Sequence, residues 1–108
     1  MTAMERTKLI DEVVEDVKRW ATSVGYTVQP HFDQSFHQVL WSDTWCLTDC
    51  LSMLWGLLTG GSRFIYPVVS FMYECMSNCP KLEAYYKDPE RVKLPRYTLG
   101  DRADWRDV

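Results

Sequence analysis

Histidine is scarce in this chain, and no organised nucleophile accompanies it. His31 and His37 are the only two histidines in 108 residues. They straddle a loop-to-helix junction and share no obvious face. No serine or cysteine sits in a glycine-flanked turn, and no loop has the form of an oxyanion hole, so the sequence offers no assembled catalytic constellation. No enzyme activity and no cofactor are therefore expected. A basic excess is also missing. Twelve Lys and Arg face fifteen Asp and Glu, for a net charge of −3. That balance argues against a broad phosphate-binding face, so no direct nucleic-acid binding is expected. The charged start, Glu5, Arg6 and Lys8, is followed by no apolar signal core. Long apolar runs are absent as well. The stretch from Val39 to Met76 is broken by Asp43, Asp49, Gly60-Gly61 and Arg63, leaving pieces shorter than the roughly 20 residues that span hydrocarbon. The expectation is a cytoplasmic protein without membrane association, with its cysteines reduced.

What is present is a compositionally ordinary globular chain, 46% hydrophobic and 25% charged, rich in large aromatics with five Trp and six Tyr. Its length suits a single helical domain over residues 1–108, with a polar C-terminal tail from about residue 93. The first helix is the clearest. Thr2 and Glu5 have capping-box spacing. Ile10, Val13, Val14, Val17, Trp20, Ala21 and Val24 recur at helical period, and Gly25 closes the helix. Asp33 is expected to cap a short second helix carrying Phe36, Val39 and Leu40 inward. Ser42 or Asp43 is expected to cap a third helix reaching Leu58, apolar on most of its circumference and therefore central. Ser52 and Gly56 on it would let another backbone approach. Pro67 fits the first turn of a fourth helix with Val68, Val69, Met72, Cys75 and Met76 inward. Pro80 opens a fifth, with Leu82, Tyr85 and Tyr86 on its apolar side. The predicted architecture is an all-α compact bundle of about five helices around a central antiparallel helical hairpin, about 43–58 and 66–78, turning at Gly60-Gly61.

Four cysteines form two Cys-x-x-x-Cys pairs, Cys46/Cys50 and Cys75/Cys79, symmetric about that turn. In a helical hairpin Cys46 would lie near the level of Cys79, and Cys50 near that of Cys75. The pattern resembles the twin Cys-x-x-x-Cys hairpins of small chaperones of the mitochondrial intermembrane space. The resemblance covers those four residues alone and departs in the 24 residues between the inner cysteines. The favoured reading is four small buried hydrophobes. Disulfides, or a metal site from Cys46, Cys50, Cys75 and Cys79, are the alternatives, although helical spacing is atypical for zinc.

Functional expectations rest on features left over once the core is assigned. Asp11, Glu12, Glu15 and Asp16 make an acidic outer face on the first helix, a solvated run by default and otherwise a docking patch. Asp49 on the apolar third helix needs a partner, with Arg63, a tyrosine hydroxyl or an indole as candidates. Trp41 and Trp105 are the aromatics least easily placed in the core, and Trp105 is flanked by Arg102 and Arg106, the composition of an interface anchor. The alternative for Trp105 is a latch on its own domain. The expected function is a non-catalytic protein-interaction module, a small adaptor or inhibitor occupying a surface of a larger partner through Trp41, Trp105, Arg102, Arg106, Asp11, Glu12, Glu15 and Asp16. Small helical proteins of this kind are often viral, an analogy only. A thiol-redox or metal-binding hairpin is the first alternative and a small His-dependent enzyme the second.

Overall fold

The computed structural model describes residues 2–60 and 68–88. Among them the chain forms five α-helices and no strand: α1 (Ala3–Ser23), α2 (Phe32–Trp41), α3 (Leu47–Thr59), α4 (Val69–Asn78) and α5 (Pro80–Lys87). The bundle is all-α, as the apolar periodicity requires. The turn at 61–67, with Arg63 and Pro67, and the tail with Arg102, Trp105 and Arg106 lie outside the described residues. No helix among the described residues is long and apolar enough to cross a membrane.

Helix α1 begins and ends where its sequence dictates. Thr2 Oγ1 accepts the Glu5 N–H at 3.1 Å and lies 3.2 Å from the Glu5 carboxylate, so the first turn is closed by side chains. At the other end Gly25 takes φ 96°. The Tyr26 N–H reaches the Ala21 carbonyl (2.9 Å) and the Gly25 N–H that of Thr22 (3.2 Å), the Schellman pattern. The Tyr26 ring then packs 6.0 Å from that of Trp20, supplying the apolar contact that accompanies this cap. Ile10, Val13, Val14, Val17, Trp20 and Ala21 are buried. Val24, expected inward, is 51% exposed because the helix closes at that residue and the chain turns away.

Three expectations need correction. Helix α3 starts at Leu47, with Cys46 rather than Ser42 or Asp43 at its cap. The Ser42 N–H instead closes α2 on the Val39 carbonyl, and the Asp43 carboxylate is drawn to Arg6. Asp33 is not the cap of α2. His31 holds that position without a side-chain hydrogen bond, and Asp33 receives Lys18 from α1 at 3.1 Å. On α4 the buried face is Phe71 and Cys75. Val68 and Val69 point outward, at 52% and 62% exposure. Phe71 decides the phase because its ring joins those of Trp20 (5.8 Å), Tyr26 (6.1 Å) and Trp55 (5.0 Å), more burial than two valines can supply.

Helix α1 lies against α2, α4 and α5; α3 is seated on α2, and α4 on α5. Helices α3 and α4 meet through side chains at Trp55 and Phe71. One continuous core results, and half-buried residues such as Trp41, Trp45, Leu47, Met53 and Leu57 pack against it from the α2–α3 side.

Candidate functional site

Arg6 is the charged residue that the sequence gives least reason to bury, yet it is 1% exposed. It stands on α1 four residues before Ile10, on the core-facing stripe. Its Nε donates to the Tyr85 hydroxyl at 3.0 Å. One terminal nitrogen donates to the carbonyls of Leu40 (3.2 Å) and Trp41 (3.0 Å) and to Asp43 Oδ1 at 2.7 Å. The Tyr85 hydroxyl also donates to the Leu40 carbonyl. The Trp41 ring covers the guanidinium, with 4.7 Å from the carbon to the ring centroid. Burial alone would loosen the arginine's proton, but the bonds to Asp43 and Tyr85 and their charge outweigh it and hold the pKa above its ordinary value. The last carbonyls of a helix need donors, and here one buried cation supplies them for α2.

This network fixes how the chain leaves α2. Residues 42–46 cross to α3, with the Ser42 and Thr44 hydroxyls 2.9 Å apart. The Asp49 carboxylate then accepts the Cys46 N–H (3.1 Å) and the Cys46 thiol (3.3 Å), which starts α3. Asp49 is thus tied locally within the first turn of α3. Between α2 and α3 an open groove of about 530 Å³ remains. Val39, Trp45, Met53 and Leu57 give it an apolar floor; Ser35, Gln38, Ser42 and Gly56 complete the lining. None of these side chains titrates, so the groove can bind apolar surface but has no group to move a proton.

The predicted binding residues are scattered. Asp16 pairs with Arg19 (3.2 Å) and lies 4.0 Å from Lys81; Glu15 lies 3.7 Å from Lys18; Asp11 lies 2.9 Å from His37 Nε2. Glu12 is half-exposed beside them. The acidic face of α1 is therefore laced to basic side chains of α1, α2 and α5. Trp41 is half-buried over Arg6. His31 is exposed and His37 faces Asp11, so the two are not brought together.

The cysteines divide three to one. All four are free thiols; Cys50, Cys75 and Cys79 are buried and Cys46 is exposed at the start of α3. Cys50 and Cys75, which the hairpin symmetry would set at one level, are both buried, and the charge of Cys50 acts on the Cys75 thiol. The Cys75 thiol bonds to Cys79, and that bond, with burial and the charges of Cys79 and Cys50, pushes its pKa far up. The same bond pulls Cys79 down, against burial and the charge of Asp16. Among the described residues no group of three or more His, Cys, Asp or Glu could hold a metal ion.

Sequence reasoning did not find Arg6, Tyr85 as its partner, or the groove. One signal pointed to the groove. No Lys or Arg occurs from Trp20 to Ser62, a stretch whose only charged residues are Asp33, Asp43 and Asp49. A half without cations has few long side chains to cover its apolar surface. Comparison with known proteins found no matching family model, no matching curated protein and no matching solved structure.

Proposed function

We propose that the protein is a non-catalytic protein-interaction module, a small adaptor or inhibitor whose contact surface centres on the α2–α3 groove. The observation that carries this reading is the groove itself, where Trp45, Met53 and Leu57 stay half-buried around an open apolar hollow. Monomeric proteins keep large apolar surface covered, and concave apolar patches with a polar rim mark binding sites. The internal pairing of the α1 carboxylates moves the proposed contact away from that face. Trp41 supports the wall of the groove through Arg6, and Trp105, Arg102 and Arg106 enter the reading from sequence alone. The protein partner contributes apolar anchors to the hollow, and the hydroxyls and amide of Ser35, Ser42 and Gln38 fix their orientation.

Affinity capture from native host material tests this. Parent protein, Leu57→Glu and Ser35→Trp are compared, the first charging the floor and the second filling the hollow from its rim. Both variants are expected to lose the captured partner while melting within a few degrees of the parent. Undiminished capture by both would move the contact surface elsewhere.

A further inference from the structure

We propose that helix α4 of a second copy of this chain occupies the α2–α3 groove. The inference rests on the groove reading above and adds an occupant that competes there with an outside partner. Two observations carry it. The first is an apolar stripe on α4 that the described residues leave open. Phe71 and Cys75 take the core side of that helix. At about 100° per residue, Val69 and Tyr73 stand almost across the helix from Phe71, and they are 62% and 65% exposed. Met72 and Met76 are half-buried between the two sides. Together the four follow the spacing i, i+3, i+4 and i+7, by which an amphipathic helix presents its anchors to a groove. Glu74, the only charged residue of α4, lies off the stripe. A single exposed valine needs no explanation, but a continuous stripe with Met and Tyr has the composition of an interface.

The second observation is the fit. From Val69 to Met76 the stripe runs about 10 Å, and so does the α2 wall of the groove from Ser35 to Ser42. Both walls are α-helices with their backbone donors and acceptors spent, so they suit an occupant whose backbone is likewise bonded internally. The described lining of the groove carries no charged side chain, and neither does the stripe, so no ion loses its water on contact. Tyr73 brings a hydroxyl, for which Ser35, Gln38 and Ser42 on the rim offer partners. The two surfaces do not meet within one chain. On α3, Trp55 stands two residues from both Met53 and Leu57 and turns the other way, to Phe71 at 5.0 Å between ring centroids. The groove thus opens on the side of α3 away from α4, and α4 is held against α1 and α5. Stripe and groove therefore come together only between copies.

Sedimentation of the full chain over a concentration series up to about 1 mM reads the association. The parent is expected to self-associate. Tyr73→Glu and Val69→Lys charge exposed positions of the stripe, and Ser35→Trp fills the hollow from its rim. Each should raise the dissociation constant about tenfold or more while melting within a few degrees of the parent. A stripe-to-groove contact joins two different surfaces, so the decisive arm is a mixture. Tyr73→Glu keeps an intact groove and Ser35→Trp an intact stripe, so the two together should associate although neither does alone. Val69→Lys takes the place of Tyr73→Glu if the latter does not fold. No association in the mixture, or a parent that stays monomeric, would overturn the proposal and leave the groove reading to the capture experiment, which follows a different protein. Self-association abolished by Tyr73→Glu but untouched by Ser35→Trp would mean α4 packed on α4, and the reverse would mean groove on groove; either overturns the proposal. A photo-cross-linker at position 73 should reach residues 35–57 of another copy. A cross-link into residues 61–67 or 89–108 of the same chain would assign the stripe to those segments and overturn it as well.

Discussion

Helix α2 has a charged neighbour on one side and an almost uncharged one on the other, and the two sides close differently. Towards α1 it is held by directional contacts: Arg6 on its last carbonyls, Lys18 on Asp33, and Asp11 against His37. Towards α3 it has Val39 facing Met53, Leu57 and Trp45, with a hollow left between. Directional polar contacts fix a distance and an angle, whereas apolar contacts reward any close approach. A bundle can therefore be rigid along α1 and still keep an open apolar groove one helix away. The rigid side also serves the open one, since Arg6 sets the path of residues 40–43 and thereby one end of the groove.

The contrast breaks most severely at Arg6. Arg6→Met takes the guanidinium away from the Asp43 carboxylate and the Trp41 carbonyl, leaves Leu40 with the Tyr85 hydroxyl, and should cost about 3–5 kcal/mol. Chemical denaturation measures it. Arg6→Met combined with Asp43→Leu removes both charges and should recover part of the loss. If the double variant is no better than the single one, the loss of the Arg6–Asp43 pair is not the cause.

Next comes the inner face of α4. Phe71→Ala should cost about 3–4 kcal/mol by removing the ring shared by Trp20, Tyr26 and Trp55. Val69→Ser on the same helix should stay within about 0.5 kcal/mol, because Val69 faces outward. Similar losses for the two would restore the sequence-based phase, in which Val69 points inward.

Smaller effects separate the local from the tertiary. Asp49→Ala removes the acceptor of the Cys46 N–H and should cost about 1 kcal/mol, read as a lower melting temperature. His37→Gln should change stability by less than about 1 kcal/mol, since its partner Asp11 is exposed. A large loss for His37→Gln would mean that the α1–α2 contact depends on that pair more than on Arg6.

Much of this was legible beforehand, for identifiable reasons. The limits of α1 follow from Thr2, Glu5 and Gly25, because caps act within one turn and need no distant partner. Phe36, Val39 and Leu40, inward on α2, follow from spacing alone, and Phe32 joins them in the structure. Places where the reading failed share a cause. The start of α3, the phase of α4 and the burial of Arg6 each depend on a residue far away in sequence: Asp43 leaves its capping role for Arg6, and Phe71 rather than Val69 turns inward towards Trp20 and Trp55. In the cysteines both cases meet. Spacing puts Cys75 and Cys79 on one turn, but only packing leaves Cys46 outside while Cys50 is buried.

By itself, then, the sequence determined the class of fold, the number of helices among the described residues and most of the apolar positions that fill the core, since periodicity and caps are short-range physics that each segment carries with it. Tertiary structure alone decided that an arginine would be buried, that Asp11 and Asp16 of α1 would meet His37 and Lys81, and that α2 and α3 would part enough to leave a groove. Those outcomes depend on which side chains from distant segments compete for the same place, and that competition is settled only when the helices meet.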